Sequence, residues 1–343
     1  MPPPPPRPGV IPLGPLGLGD ILGGAFTTLG RHWKQLFGMA LVAYGIAALV
    51  TGGACAASIA AVHEHLDPVF RHREAYESGP ARSDVEPVLV AGALTFVVTL
   101  AMWLLAMALM SSAAATVLQD AVLGRRTPFG AVWRRAWSRF PAALGALALA
   151  LVITIGATVL FAGVMLLLIL STRDGGTPPS LLVLAGLGVL VLIPFNTWMA
   201  VRFGFAPVAA VLENQRPVQA LRRSARLVRG TWWRTCGVVT LVALISMFIG
   251  NLAQVPFTYG GVLAAMPLLL SDPSAGSGVA AVVIVMVLGL IGMVVSQFLS
   301  TTLPQLASGL LYIDRRIRTE ELASALAEAA GVPPAGAPPA VTW

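Results

Sequence analysis

The chain has 343 residues, 57% of them hydrophobic and 11% charged, with a formal charge of +7 at pH 7. Soluble globular domains carry about 25% charged residues, so the composition excludes an ordinary soluble enzyme and points to a membrane. Bilayer-spanning strands would alternate apolar and polar residues, and these runs do not. Helices remain, because backbone groups find no water in lipid.

The chain opens Met1-Pro2-Pro3-Pro4-Pro5-Pro6-Arg7-Pro8, and residues 1–15 are expected to be a disordered cytoplasmic tail of polyproline character. No cleavable signal peptide is expected, since the first 35 residues hold no continuous apolar core. An amphipathic helix follows, with Ile21, Leu22, Ala25, Phe26, Leu29 and Trp33 on one face and Asp20 as its N-cap. The first hydrophobic run covers 36–62. After it come His63-Glu64-His65 and His72, among Asp67, Glu74 and Glu77. Such a grouping can ligate zinc in principle, but its ligand spacing is irregular, so it reads as a polar loop and no metal is expected.

The second run, 88–119, ends at Asp120 and leads to Arg125 and Arg126. A second amphipathic helix then places Phe129, Val132, Trp133, Ala136, Trp137 and Phe140 on one face, with Thr127 as cap and Pro128 at the first helical position. Runs three and four cover 141–172 and 181–201, and the fourth contains Pro194, Asn196, Thr197 and Trp198. Glu213 precedes Arg216 and a third amphipathic helix, with Pro217 at its start and Val218, Leu221, Ala225, Val228 and Trp232 as apolar positions. The fifth run, 236–270, is interrupted by Asn251, Gln254, Pro256, Thr258, Tyr259, Gly260 and Gly261, which predicts a kink or unwound stretch over 254–261. The sixth, 279–313, carries Ser296, Gln297, Ser300, Thr301, Thr302, Pro304 and Gln305 and ends at Asp314, before Arg315 and Arg316. Residues 331–343 form a second proline- and alanine-rich tail. Cys55 and Cys236 are expected at different depths, as small packing residues rather than a disulfide.

Each run exceeds the roughly 20 residues that cross the hydrocarbon core as a helix. Drawn as spans, they place 18 of the 22 basic residues on one side, and only Arg71, Arg73, Arg82 and Arg173 on the other. Basic residues stay cytoplasmic during insertion, so both termini are expected inside. The inside holds 7 acidic residues and the outside 8, so the basic excess faces the anionic cytoplasmic leaflet. No nucleic-acid-binding fold fits around the spans, and no nucleic-acid partner is expected.

The fold class expected is therefore an all-α membrane protein with six transmembrane helices and three cytoplasmic interfacial helices, in a pseudo-threefold repeat. Its membrane domain covers 16–330, with repeats of about 16–124, 125–215 and 216–318, each an amphipathic helix followed by two spans. Asp120, Glu213 and Asp314 lie 93 and 101 residues apart. A shift of 89 overlays Pro128, Ala131, Arg134 and Ala136 on Pro217, Ala220, Arg223 and Ala225. Five of the eight tryptophans, Trp33, Trp133, Trp137, Trp232 and Trp233, fall at these helices, which suits the membrane interface.

Two sets of contacts follow. Asp120, Glu213 and Asp314 are expected to pair with arginines of the adjoining amphipathic helices and fix their angle to the bundle. Arg134, Arg135, Arg139, Arg222, Arg223, Arg226 and Arg229 are the candidate contacts to anionic lipid or a partner membrane protein. Buried polar residues mark function in membranes, so Asn251, Gln254, Tyr259 and Gln297 form a candidate cavity beside the interrupted fifth run. Interhelical hydrogen bonding in a packed bundle is the competing reading of the same residues. No Walker loop, GxSxG elbow, HExxH or paired CxxC occurs, and neither catalytic residues nor a cofactor are expected.

Three stretches carry a family resemblance. They are Leu16-Gly17-Leu18-Gly19-Asp20-Ile21-Leu22-Gly23-Gly24-Ala25-Phe26; Arg202-Phe203-Gly204-Phe205-Ala206-Pro207 with Val211-Leu212-Glu213 and Ala220-Leu221-Arg222-Arg223-Ser224; and Leu311-Tyr312-Ile313-Asp314-Arg315-Arg316-Ile317-Arg318. Over residues 11–330 the chain resembles the membrane domain family of the glycerophosphoryl diester phosphodiesterases, as a stand-alone actinobacterial-type member. In fused relatives a catalytic barrel of roughly 250 residues follows this domain. Only 29 residues follow Asp314 here, so the hydrolase activity is not expected. Where a glycine, an aromatic or Leu, and Asp are usual after the Arg-Ile-Arg, this chain has Glu320-Glu321-Leu322-Ala323. The function expected is that of a non-enzymatic module of the bacterial cytoplasmic membrane, engaging anionic lipid or a partner membrane protein. A transporter or lipid-handling protein with a cavity at the fifth span is the alternative.

Overall fold

A computed structural model describes residues 10, 15–71, 82–125, 128–171, 179–271 and 275–320. Most of the first tail, the second tail, Arg126, Thr127, His72, Glu74, Glu77 and the short loops at 172–178 and 272–274 lie outside the described residues, as do the side chains of His65 and Asp67. Among the described residues all regular structure is helical: α1 (Leu18–Arg31), α2 (Trp33–Arg71), α3 (Arg82–Val122), α4 (Phe129–Ser171), α5 (Pro179–Phe203), α6 (Ala206–Leu212), α7 (Pro217–Val228), α8 (Trp232–Ser271) and α9 (Ala275–Glu320).

Among the described residues six stretches are long and apolar enough to cross a membrane: Trp33–Glu64, Val85–Val122, Phe129–Met165, Pro179–Leu212, Trp232–Leu268 and Ala280–Thr319. Leu49, Leu89, Phe96, Leu160, Leu190 and Leu263 are exposed along them. Apolar surface on this scale is unfavourable in water and suits lipid, where helices satisfy their own backbone groups. The protein is a multi-pass membrane protein.

The three amphipathic segments take three forms. Helix α1 stands alone, but its N-cap is Gly17. Asp20 sits at the third helical position and accepts the Gly17 N–H at 3.0 Å, because from there a carboxylate reaches back over the first turn. The second segment has no separate existence, since α4 runs from Phe129 through Pro141 into the third span. Proline removes one donor, yet Ala142, Ala143 and Leu144 are strong helix formers, and a break would leave further groups unpaired. The third segment is α7, with Pro217 in its first turn. Its buried face is Ala220, Leu221, Ser224, Leu227 and Val228, rotated from the expected one so that Val218 is exposed. Gly230 ends it with φ +81°, a left-handed conformation that glycine adopts without strain.

The chain divides into two compact units. One comprises Met1–Leu36, Ala108–Ile249 and Leu299–Trp343. In it α6 packs against α4 and α7, and Ala115, Ala143 and Val211 meet. A Cβ on Gly145 would lie 2.6 Å from Pro217 Cγ, so the start of α7 rests where only glycine leaves room. The buried run from Ser111 to Thr116 has only Ser, Ala and Thr, which lets helices approach closely.

The other unit comprises Phe37–Met107 and Gly250–Phe298. Of the kink or unwound stretch predicted over 254–261, the unwound stretch is absent, and α8 stays helical through Pro256. Gly261 serves packing instead. Gly261 lies against Val285, and on α9 a Cβ at Gly292 would come within 2.6 Å of Phe257 Cβ. Thr258 Oγ1 also donates to the Gln254 carbonyl at 3.3 Å. An interruption does occur in the fourth span, where a turn at Gly204 and Phe205 separates α5 from α6.

Candidate functional site

The chemistry-bearing residues gather where α3, α6 and α9 end. Asp120, in the last turn of α3, is buried and accepts a two-pronged contact from Arg135 of α4, Nη1 to Oδ1 at 3.3 Å and Nη2 to Oδ2 at 2.9 Å. Such a planar fork fixes direction as well as distance. Glu213 follows α6, where its Oε1 accepts from Arg223 Nη2 at 3.2 Å and from the Tyr312 hydroxyl. Gln215 Nε2 donates to its Oε2 at 2.7 Å, and Arg316 Nη1 stands 3.5 Å from Oε1. Glu213 thereby ties α7 to α9.

Asp314, on α9, is 0% exposed. Its Oδ1 accepts the Leu16 N–H and Arg318 Nε, both at 2.8 Å, while Arg234 Nη2 lies 3.7 Å from Oδ2. The same two arginines return to the Leu16 carbonyl, at 3.0 Å from Arg234 and 3.1 Å from Arg318. Both backbone groups of Leu16 are thus clamped by one cluster centred on the buried Asp314, which sets the start of α1. Buried charges persist when paired and hydrogen-bonded, as here. Arg315 is buried next to it, and its Nε and Nη2 have no acceptor among the described residues.

The seven candidate arginines divide into two groups. Arg135 and Arg223 turn inward to Asp120 and Glu213, and Arg139 Nη1 donates to the Val211 carbonyl at 3.5 Å, near the end of α6. Cations are favoured at helix C-termini, where carbonyls lack intrahelical donors. Arg134, Arg222, Arg226 and Arg229 are exposed. On α4 an aromatic ladder accompanies them: Phe129, Trp133, Trp137 and Phe140 stack in sequence with centroids 6.2, 5.9 and 5.4 Å apart. Phe129 and Trp137 are exposed, as is Trp233 at the start of α8.

The four candidate cavity residues lie in the second unit. Tyr259 is 65% exposed, and Asn251 is exposed as well. Gln254 Nε2 donates to the Gly289 carbonyl at 3.5 Å, and Gln297 is partly buried. A groove in this unit is apolar, with Phe37, Leu41, Ala48, Ile291 and Val294 in its walls. Cys55 and Cys236 are free thiols, and Cys55 is exposed rather than packed inside. His63 Nε2 lies 3.9 Å from Glu64 on an exposed surface, and no group of three metal-ligating side chains occurs among the described residues.

A family model described as "Domain of unknown function (DUF7847)" matches residues 38–303, well over half of the chain. The chain belongs to the DUF7847 family. No curated protein and no solved structure matches it. The family match contains Asp120 with Arg135 and Glu213 with Arg223, whereas Leu16, Tyr312, Asp314 and Arg318 lie beyond it.

Several residues that build this DUF7847 site carry no signal of charge pairing in the sequence. Ser224 is one: its Oγ donates to the Arg202 carbonyl at 2.7 Å and accepts the Phe205 N–H at 3.2 Å, which closes the gap between α5 and α6. Its spacing of three from Leu221 and four from Val228 places it on their buried face. Tyr312 and Arg234 are others, and only the folded chain brings them to Glu213 and Asp314.

Proposed function

We propose that this DUF7847 protein is a non-enzymatic module of the bacterial cytoplasmic membrane that holds anionic lipid of the cytoplasmic leaflet at its arginine-rich end. The observation that carries this reading is the division of the arginines. Arg135, Arg139 and Arg223 are engaged by Asp120, the Val211 carbonyl and Glu213, while Arg134, Arg222, Arg226 and Arg229 are exposed, as are the aromatic side chains Phe129, Trp137 and Trp233. Exposed arginine next to exposed aromatic is what a headgroup region favours. With both termini inside, these residues would face that leaflet. The three acids are occupied by arginines and backbone donors, which suits anchoring better than proton transfer.

Each basic residue near an anionic surface is worth about 1 kcal/mol, so removing three changes affinity on the order of a hundredfold. The test is reconstitution in phosphatidylcholine nanodiscs with and without phosphatidylglycerol. The wild type should gain thermal stability and enrich the anionic lipid around itself. The triple variant Arg134→Gln, Arg222→Gln, Arg226→Gln should lose that preference. A wild type indifferent to anionic content overturns the reading, and a membrane protein co-purifying in fixed ratio moves the function to a protein partner. The transporter alternative has less support, because α8 is unbroken and Tyr259 is exposed.

A further inference from the structure

A cavity of about 240 Å³ lies in the first unit, between the end of α5 and the α7–α8 turn. Its walls include Trp198, Arg202, Val228, Arg229, Gly230 and Trp232, and none of the lining residues is acidic. The volume is far above the ~10–15 Å³ that one water occupies, so it admits a small ligand. Two cations therefore share a concave site with no carboxylate in its lining.

The site is held in place before any ligand arrives. Arg202 is fixed at both ends: its carbonyl accepts from Ser224 Oγ at 2.7 Å, and its guanidinium lies over the Trp198 ring, 4.9 Å from the centroid. Stacking on an indole leaves the edge of the guanidinium free to donate. The turn carrying Arg229 is closed by Arg229 N–H to the Arg226 carbonyl at 3.2 Å and Thr231 N–H to the Val228 carbonyl at 3.1 Å, with Gly230 at φ +81° between them. The Trp232 side chain completes the wall.

We propose that this cavity binds one phosphate group between Arg202 and Arg229, either on a phospholipid headgroup or on a small soluble phosphoester. Arginine recognises phosphate through paired N–H donors, and two guanidiniums, one from a helix and one from a turn, fit its several acceptor oxygens. The proposal deepens the anionic-surface reading and rests on it: the exposed arginines gather anionic lipid, and this cavity selects a single headgroup.

Native mass spectrometry of the full chain, released from phosphatidylcholine nanodiscs, tests it. Phosphatidylglycerol is titrated in one arm and glycerol 3-phosphate in the other. One molecule of one of them should be retained per chain, and the arm in which this happens names the source of the phosphate. Arg202→Gln with Arg229→Gln should weaken that retention on the order of tenfold or more. Arg229→Gln alone, at an exposed turn that cannot disturb folding greatly, should weaken it in the same direction. The triple variant at Arg134, Arg222 and Arg226 should keep the single retained molecule while losing the general anionic preference, so the two readings fail separately. Retention unchanged in Arg229→Gln, or no retained molecule in either arm, overturns the proposal.

Discussion

Every buried Asp, Arg, His, Ser and Thr among the described residues belongs to the first unit, from Thr28 and His32 to Asp314 and Arg315. The second unit joins its helices by other means: Gly292 against Phe257, Gly261 against Val285, a Ser58–Thr95 hydroxyl contact at 2.6 Å and the Phe37–Phe298 edge contact. The difference follows from the solvent. Lipid tails are as apolar as leucine, so little drives apolar helix faces together, and association rests on close packing and polar contacts. A unit that buries charges has one arrangement that satisfies them. A unit held by glycine contacts depends more on the lipid around it.

The largest effects should therefore fall in the first unit, at Asp314. Asp314→Asn removes the anion that Arg234 and Arg318 face and weakens the hold on Leu16. Breaking a fully buried ion pair costs about 3–5 kcal/mol, and because Arg234 and Arg318 are partly exposed and can turn to water, the loss falls at the lower end of that range. The expected outcome is a marked fall in thermal stability in detergent, with α1 becoming accessible to protease before any span does. Glu213→Gln should cost less, about 1–3 kcal/mol, because the amide still accepts from Tyr312 and Arg223 through its remaining oxygen. If the two variants lose equal stability, the idea that complete burial sets the scale at Asp314 fails.

The spans were legible in the sequence because hydropathy is a local property that twenty residues carry by themselves. The acids at Asp120, Glu213 and Asp314 stood out for a similar reason, as lone carboxylates where apolar runs give way to arginines. Which arginines turn inward was not legible. Arg134 and Arg135 are neighbours, and only the rotation of α4 sends one outward and the other to Asp120. The fifth and fourth spans show the same limit in reverse. Pro256 and Gly261 are helix-weakening residues by local rules, but tertiary contact at Gly261 uses the missing side chain for packing, and α8 continues. Gly204 breaks the fourth span because Ser224, from a different helix, supplies partners for the Arg202 carbonyl and the Phe205 N–H.

In the second unit Gly292→Ala tests the packing side of the contrast. A methyl group there meets Phe257 at 2.6 Å, and overpacking costs about 1–3 kcal/mol. Thicker or more anionic bilayers should alter that loss more than they alter the loss from Glu213→Gln, since the second unit has fewer internal polar partners to resist a change of lipid.

The smallest expected effect is at Tyr259, and it decides what the polar residues of the fifth span do. With 65% of its surface exposed, Tyr259 presents its hydroxyl outside the packed interior of the unit. Exposed substitutions of this kind change stability by less than about 0.5 kcal/mol. Tyr259→Phe should therefore leave both thermal stability and the set of retained lipids as in the wild type. A lost lipid would restore Tyr259 to a binding surface and with it the transporter reading, whereas an unchanged lipid profile favours the proposed lipid contacts at the arginine-rich end of the first unit.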